Sequence, residues 1–170
     1  DGIGDGECDC AGNVEDCSGE CGGTAEVDEC DVCDGDGSTC GGENEPDWED
    51  NPGAYEFTAT MTAVVFHTVT GEQLQDENDI LGAFDAEGNN RGIAINLPAP
   101  FGPYEGSNLW EMQIRSNADG DAISFKYYDA SEDEVLSSGT SYTFVINDEN
   151  AGTLVDPYEI NVGTVTLSIE

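Results

Sequence analysis

From Tyr55 onward, several stretches of the chain alternate apolar and polar residues with a period of two. Tyr55, Phe57, Ala59, Met61, Ala63 and Val65 share one phase, while Glu56, Thr58, Thr60 and Thr62 share the other. This is the pattern of a strand with one buried face. Val64 and Phe66 then break the polar phase, so the far half of the strand needs cover on both sides, from another element or another subunit.

Residues 80–85 and 91–97 read as strands joined by the Gly- and Asn-containing hairpin connection 86–90, after which the alternation resumes. It recurs at Trp110, Met112 and Ile114, and at Ile123, Phe125 and Tyr127. Val135 and Leu136 read as a short return strand, and Tyr142, Phe144 and Ile146 as another. No stretch has a helical period. Eight or nine short strands at this spacing predict an all-β fold, an immunoglobulin-like antiparallel β-sandwich over residues 55–170. Near the end, Tyr158, Ile160 and Val162 hold one phase, and Val165, Leu167 and Ile169 the opposite one. Gly163 therefore marks a bulge or a handover between sheets. Residues 163–170 have the pattern of a detachable strand, either the last strand of its own sandwich or one inserted into a neighbour.

Upstream the alternation disappears. Residues 1–45 hold all seven cysteines and fifteen of the 38 carboxylates, but no Lys, Arg, His or aromatic residue. So little apolar surface cannot make a core, and such a segment becomes compact only when cross-linked. A small disulfide-rich, turn-rich module is expected over 1–45, followed by a linker or wrap-around loop over 46–54 that contains Pro46 and Pro52. Cys8, Cys10, Cys17, Cys21, Cys30, Cys33 and Cys40 leave one thiol over, and spacing does not choose their partners. Cys30 and Cys33 are spaced like zinc ligands, but their acidic flanks oppose further thiolates, so disulfides and an extracellular, cell-surface location are expected. Val14-Glu15-Asp16-Cys17 through Gly23 recurs loosely as Val27-Asp28-Glu29-Cys30 through Gly35, a repeat too small to bury a face of its own.

The formal charge of −35 repels phosphate backbones and anionic lipid heads, which disfavours nucleic acid and membrane docking. It attracts divalent cations, and identical subunits can approach closely only if it is screened or bridged. Hard cations take several oxygens, which dense Asp/Gly loops supply, so Ca2+ is the expected ion. Asp1, Asp5, Glu7 and Asp9, and Asp28, Asp31, Asp34 and Asp36, are its candidate ligands. An EF-hand is excluded, because placing Gly37 at its sixth position puts Val32 where the first Asp belongs. Asp85 to Asn89, Asp76 to Asp79, and Asp119 with Asp121 offer ion sites between strands but read more simply as solvated acidic loops. No 18-residue apolar run suggests membrane insertion. The only histidine, His67, reads as a packed or interface residue, and no constellation supports catalysis, so the chain reads as a non-enzyme. Trp48, Tyr104, Trp110 and Tyr128 offer an alternative as sugar-stacking rings of a calcium-dependent carbohydrate-binding or adhesin module, with glycans as partners.

Residues 21–40, Cys-Gly-Gly-Thr-Ala-Glu-Val-Asp-Glu-Cys-Asp-Val-Cys-Asp-Gly-Asp-Gly-Ser-Thr-Cys, resemble the Cys/Asp/Gly repeats of large secreted bacterial proteins, as does the Gly6 to Val14 stretch. The segment is also similar to thrombospondin type 3 repeats, in which Asp-x-Asp-Gly runs wrap calcium, although its Asp runs are shorter. Residues 79–94 with 123–130 resemble modules in secreted proteins of environmental bacteria, which are similar to protomers of pilus-like fibrils joined by donor-strand exchange. That resemblance implies a helical homopolymer in which the chain is its own partner. Val64, Phe66, Val165, Leu167 and Ile169 are the residues expected to carry assembly.

Overall fold

The computed structural model describes residues 6, 8–9, 11–27, 33–34, 42 and 44–163. The chain divides into two units, residues 1–43 and 44–170.

The second unit is all-β, with β1 (Phe57–His67), β2 (Gln73–Leu74), β3 (Ile80–Phe84), β4 (Asn90–Ile93), β5 (Ile95–Pro98), β6 (Asn108–Ser116), β7 (Ala122–Asp129), β8 (Glu134–Thr143) and β9 (Tyr158–Val162). Only a short 3-10 turn, Pro52–Ala54, interrupts this inventory. The strands follow one path, β4-β3-β7-β8-β9-β1-β6-β5, with β2 paired to β1. The path bends back on its start, because β4 and β5 are separated only by Ala94 yet pair with β3 and β6 respectively. Across the remaining gap β4 lies directly over β6: a Cβ added to Gly92 would run into the Gln113 carbonyl oxygen. The result is a sheet nearly closed into a barrel.

Two expectations change here. The pairing is not wholly antiparallel, since β9 runs parallel to β1 from Ala63↔Tyr158 to His67↔Val162. The cause lies in the preceding loop, which tracks the first half of β1 in the same direction. Asn147 N–H donates to the Thr58 carbonyl at 2.9 Å, Thr60 N–H to Asp148 O at 2.7 Å, and Thr62 N–H to Ala151 O at 3.0 Å. The chain then bulges out over 152–157 and rejoins β1 as β9. Gly152 makes the exit, with φ +84° and no room for a Cβ between the Thr62 carbonyl and the Tyr158 amide. Second, the strands expected at Val135 and at Tyr142 are one continuous β8, while Phe144 and Ile146 fall beyond its end. The small residues Ser137, Ser138 and Gly139 carry it round a corner without a turn. The β7 ladder shifts there between Ser124 and Lys126, and Ser138 turns to pair with Val162 of β9.

The inward phase holds. Ala59, Met61, Ala63 and Val65 of β1 pack with Trp110, Met112, Ile114, Phe125, Tyr127 and Ile160 in the main core. Val64 is also buried, in a second cluster with Ala99 and Leu109 against which Phe66, Tyr104 and Leu154 pack. The cover demanded by the two-sided pattern thus comes from this chain's own loops. Residues 44–56 wrap onto the sheet and do not hang free. Trp48 meets Phe84 edge-on at 5.0 Å, and Asp50 pairs with Arg115 at 3.0 Å.

In the first unit no described residue is fully buried. Antiparallel bridges Glu15↔Cys21 and Val27↔Cys33 mark the two repeats. Disulfides Cys8–Cys21 and Cys17–Cys33 interlock in sequence, the second tying one repeat to the next. With sequence separations of 13 and 16, each contributes about 3 kcal/mol through loop closure in the unfolded chain. Cys10, Cys30 and Cys40 lie outside the described residues, as do Asp1, Asp5, Glu7, Asp28, Asp31, Asp36, Val165, Leu167 and Ile169.

Candidate functional site

Of the expected calcium ligands, Asp9 and Asp34 are described. Asp9 turns its carboxylate onto its own loop. One oxygen accepts the N–H of Ala11 at 2.8 Å and of Asn13 at 3.1 Å, and the other accepts the Asn13 side-chain amide at 2.6 Å. The Asn13 bonds, led by the side-chain one, hold the Asp9 carboxyl below its ordinary range. Asp16, not among the expected ligands, does the same more fully. It accepts from the Ser18 hydroxyl at 2.7 Å and from the N–H groups of Ser18, Glu20 and Ala25. The Ser18 hydroxyl and these amides bring its pKa down to about 2. Asp34 sits at φ +57° with its N–H on the Glu26 carbonyl at 2.8 Å. Among the described residues no group of three or more His, Cys, Asp or Glu is placed to hold a metal ion. The carboxylates of Asp9 and Asp16 lock their own turns through these hydrogen bonds.

In the second unit, two acidic loops expected to be solvated are exposed over residues 76–78 and 86–89, but each buries one aspartate. Asp85 is 7 % exposed and lies at the closing seam of the sheet. Its oxygens accept from Asn89 N–H at 2.8 Å, from the Asn89 amide at 2.9 Å and from Arg91 Nε at 2.9 Å. Burial pushes this carboxyl up, but the Asn89 and Arg91 bonds outweigh it and hold it below the usual value. Arg91 Nη1 continues across the gap to the Arg115 carbonyl and the Ser116 hydroxyl of β6, both at 3.1 Å, and its guanidinium lies 4.4 Å from the Tyr55 ring centre. Asp121 accepts from the Ser116 hydroxyl and lies 3.7 Å from Arg91. One arginine thus stitches β4 to β6 where no ladder does.

Asp79 is 8 % exposed, accepting from the Tyr127 hydroxyl and from Ala130 N–H at 2.8 Å. Burial raises its pKa despite those two bonds. It lies at the wall of a polar cleft of about 790 Å³ whose lining includes His67, Glu72, Asp76, Asn108, Asp129 and Glu132. His67 is half-buried; its Nδ1 accepts Thr70 N–H at 3.2 Å, and its ring lies against Gly163. Tyr142, buried and donating to Asp148 at 2.9 Å, is pushed up to about 12 and pins the loop that runs beside β1.

The rings offered for sugar stacking are mostly consumed. Trp110 and Tyr128 are each 1 % exposed, with Trp110 Nε1 donating to the Leu74 carbonyl at 3.2 Å. Trp48 and Tyr104 are half-buried, Trp48 against Phe84 and Tyr104 against the second cluster. Of the assembly residues, Val64 is covered by its own chain and Phe66 is half-buried beside it. The alternation pattern missed the edge at β5. It pairs with β6 alone among the described residues, and exposes Ile95 and Leu97. The absence of charge over residues 92–104 was the available signal. No helix among the described residues is long and apolar enough to cross a membrane.

No protein-family model matches the chain, and no characterised protein or solved structure shows significant similarity to it.

Proposed function

We infer that this chain is a structural subunit of an extracellular bacterial fibre, an immunoglobulin-like unit that joins its copies by strand addition or exchange and carries a disulfide-stapled module. The observation that carries the reading is the break at Gly163. β9 ends at Val162 with Gly163 at φ +80°, immediately before a segment whose apolar phase is reversed, Val165, Leu167 and Ile169. An apolar segment whose phase is reversed relative to the strand before it is suited to a second sheet. Disulfides withstand dilution and proteolysis outside the cell, and divalent cations such as Ca2+ offset the −35 charge that would otherwise hold copies apart. The carbohydrate-binding alternative is weakened because Trp110 and Tyr128 present no open face.

Negative-stain electron microscopy of the purified chain at physiological salt and millimolar calcium is the test. Filaments are expected, and a chain lacking residues 163–170 should stay folded but monomeric. Monomers only, together with an unaltered particle after the deletion, would show the reading to be wrong. Chelation should also lower the melting temperature, and an unchanged transition would remove calcium from the account.

A further inference from the structure

We propose that the edge of β5, centred on Ile95 and Leu97, is the acceptor for a second copy of this chain, and that the donor is the uncharged segment 164–169 of that copy. The inference rests on the fibre reading and adds to it the place where copies join.

Each copy carries −35, and all three of its cations are engaged internally. Arg91 is on Asp85 at 2.9 Å, Arg115 on Asp50 at 3.0 Å, and Lys126 lies 4.8 Å from the Phe84 ring centre. A second copy therefore brings no free positive group to offset contact between two anionic surfaces. Where no cation bridges them, copies meet at least electrostatic cost where neither carries charge. The long charge-free runs are 57–71, 92–104, 135–147 and 160–169. Most of the first and third lies within the sheet, since β1 lies between β6 and β9, and β8 pairs with β7 on either side of its corner and with β9 at Ser138. That leaves 92–104 and 160–169.

Position and exposure select the same pair. β4, the other end of the strand path, is occupied at its seam by Gly92 over Gln113 and by the Arg91 bonds to β6. β5 has one strand neighbour among the described residues, and Ile95 and Leu97 are 64 % and 40 % exposed, with Phe101 beyond them at 53 %. Ile95 and Leu97 stand two residues apart, so they share a face. Val165, Leu167 and Ile169 repeat at the same interval. Pro98 has no N–H and stops the edge, which confines an added strand to the short stretch before it and limits edge-to-edge aggregation.

The test uses complementary full-length variants followed by sedimentation velocity and negative-stain microscopy. Ile95→Glu with Leu97→Glu blocks the acceptor, and Leu167→Asp with Ile169→Asp blocks the donor. Each alone should remain a folded monomer, with near-ultraviolet dichroism like the parent, while an equimolar mixture should form dimers and stop there. If the glutamates unfold the sheet, Ile95→Thr with Leu97→Thr keeps strand propensity and should still weaken assembly. An acceptor variant that polymerises like the parent overturns the β5 assignment and leaves the fibre reading standing. A mixture that stays monomeric overturns the donor–acceptor pairing. A parent chain that never polymerises overturns the fibre reading and this inference with it.

Discussion

Asp16 in the first unit and Asp85 in the second occupy the same five-residue loop. In each, the aspartate N–H donates to the carbonyl four residues on, the N–H of that fourth residue donates to the carboxylate, and the third residue is a glycine that donates to the aspartate carbonyl. Gly19 and Gly88 supply the left-handed turn at φ +83° and +86°. The surroundings then separate them. Asp85 is buried with Arg91 at the seam of a sheet that has its own apolar core, whereas Asp16 lies in a unit where no described residue is fully buried. Local loop chemistry is thus shared, but cohesion is not. The first unit is held by covalent bridges and by carboxylates bonded to backbone, the second by apolar packing and a buried ion pair.

The contrast can be broken at several points. Trp110→Ala should cost the second unit about 3–5 kcal/mol by leaving a cavity in the main core. Trimming the first unit's exposed valines, Val14→Ala or Val27→Ala, should change stability by less than about 0.5 kcal/mol, as for surface positions. Chemical denaturation followed by tryptophan fluorescence and by residue-level exchange would read the two. A comparable cost for Val14 would mean that the first unit has a core after all.

Asp85→Ala should cost about 3 kcal/mol, because the buried Arg91 loses its close acidic partner and keeps only the longer contact, to Asp121 at 3.7 Å. Asp16→Ala should leave the second unit's thermal transition unmoved and show itself only as faster amide exchange at Ser18 and Glu20. Equal shifts of the main transition for both variants would erase the distinction drawn from burial.

Smaller effects come with pH. Asp16 and Asp85 have depressed folded values, so their contribution is present above the unfolded value of 3.8 and is lost as pH falls through the folded one, about 2 for Asp16. Asp79 has a raised folded value, so the stability linked to its proton is present below 3.8 and is lost as pH rises through the folded value. A pH titration of stability should therefore show an acid loss that Asp85→Asn reduces, and a loss on the rising side that Asp79→Asn removes. Unchanged slopes in both variants would contradict these assignments.

The all-β class, the inward phase of β1 and the two-sided burial at Val64 were legible, because a period of two reports which face each residue takes. It does not report which strand lies alongside. The parallel β9 depends on a loop that follows β1 from Thr58 to Thr62, and no local pattern announces that long-range pairing. Asp85 and Asp79 looked like solvent-facing loop acids because their partners, Arg91 and Tyr127, earn their meaning only once β4, β6 and β7 are brought together. The same limit applied to Trp110 and Tyr128, aromatic in either reading and assigned to the core only by the sheet that covers them. In the first unit the cross-linked character followed from composition, but the pairs Cys8–Cys21 and Cys17–Cys33 required the fold.

Residue-level amide exchange on the intact chain, before and after disulfide reduction, tests the two modes of cohesion most directly. Reduction should abolish protection at Asp16, Gly19, Glu20 and Gly22 while Thr60, Thr62 and Ala94 keep theirs. Loss of protection in both sets together, or its survival in the first, would contradict the account.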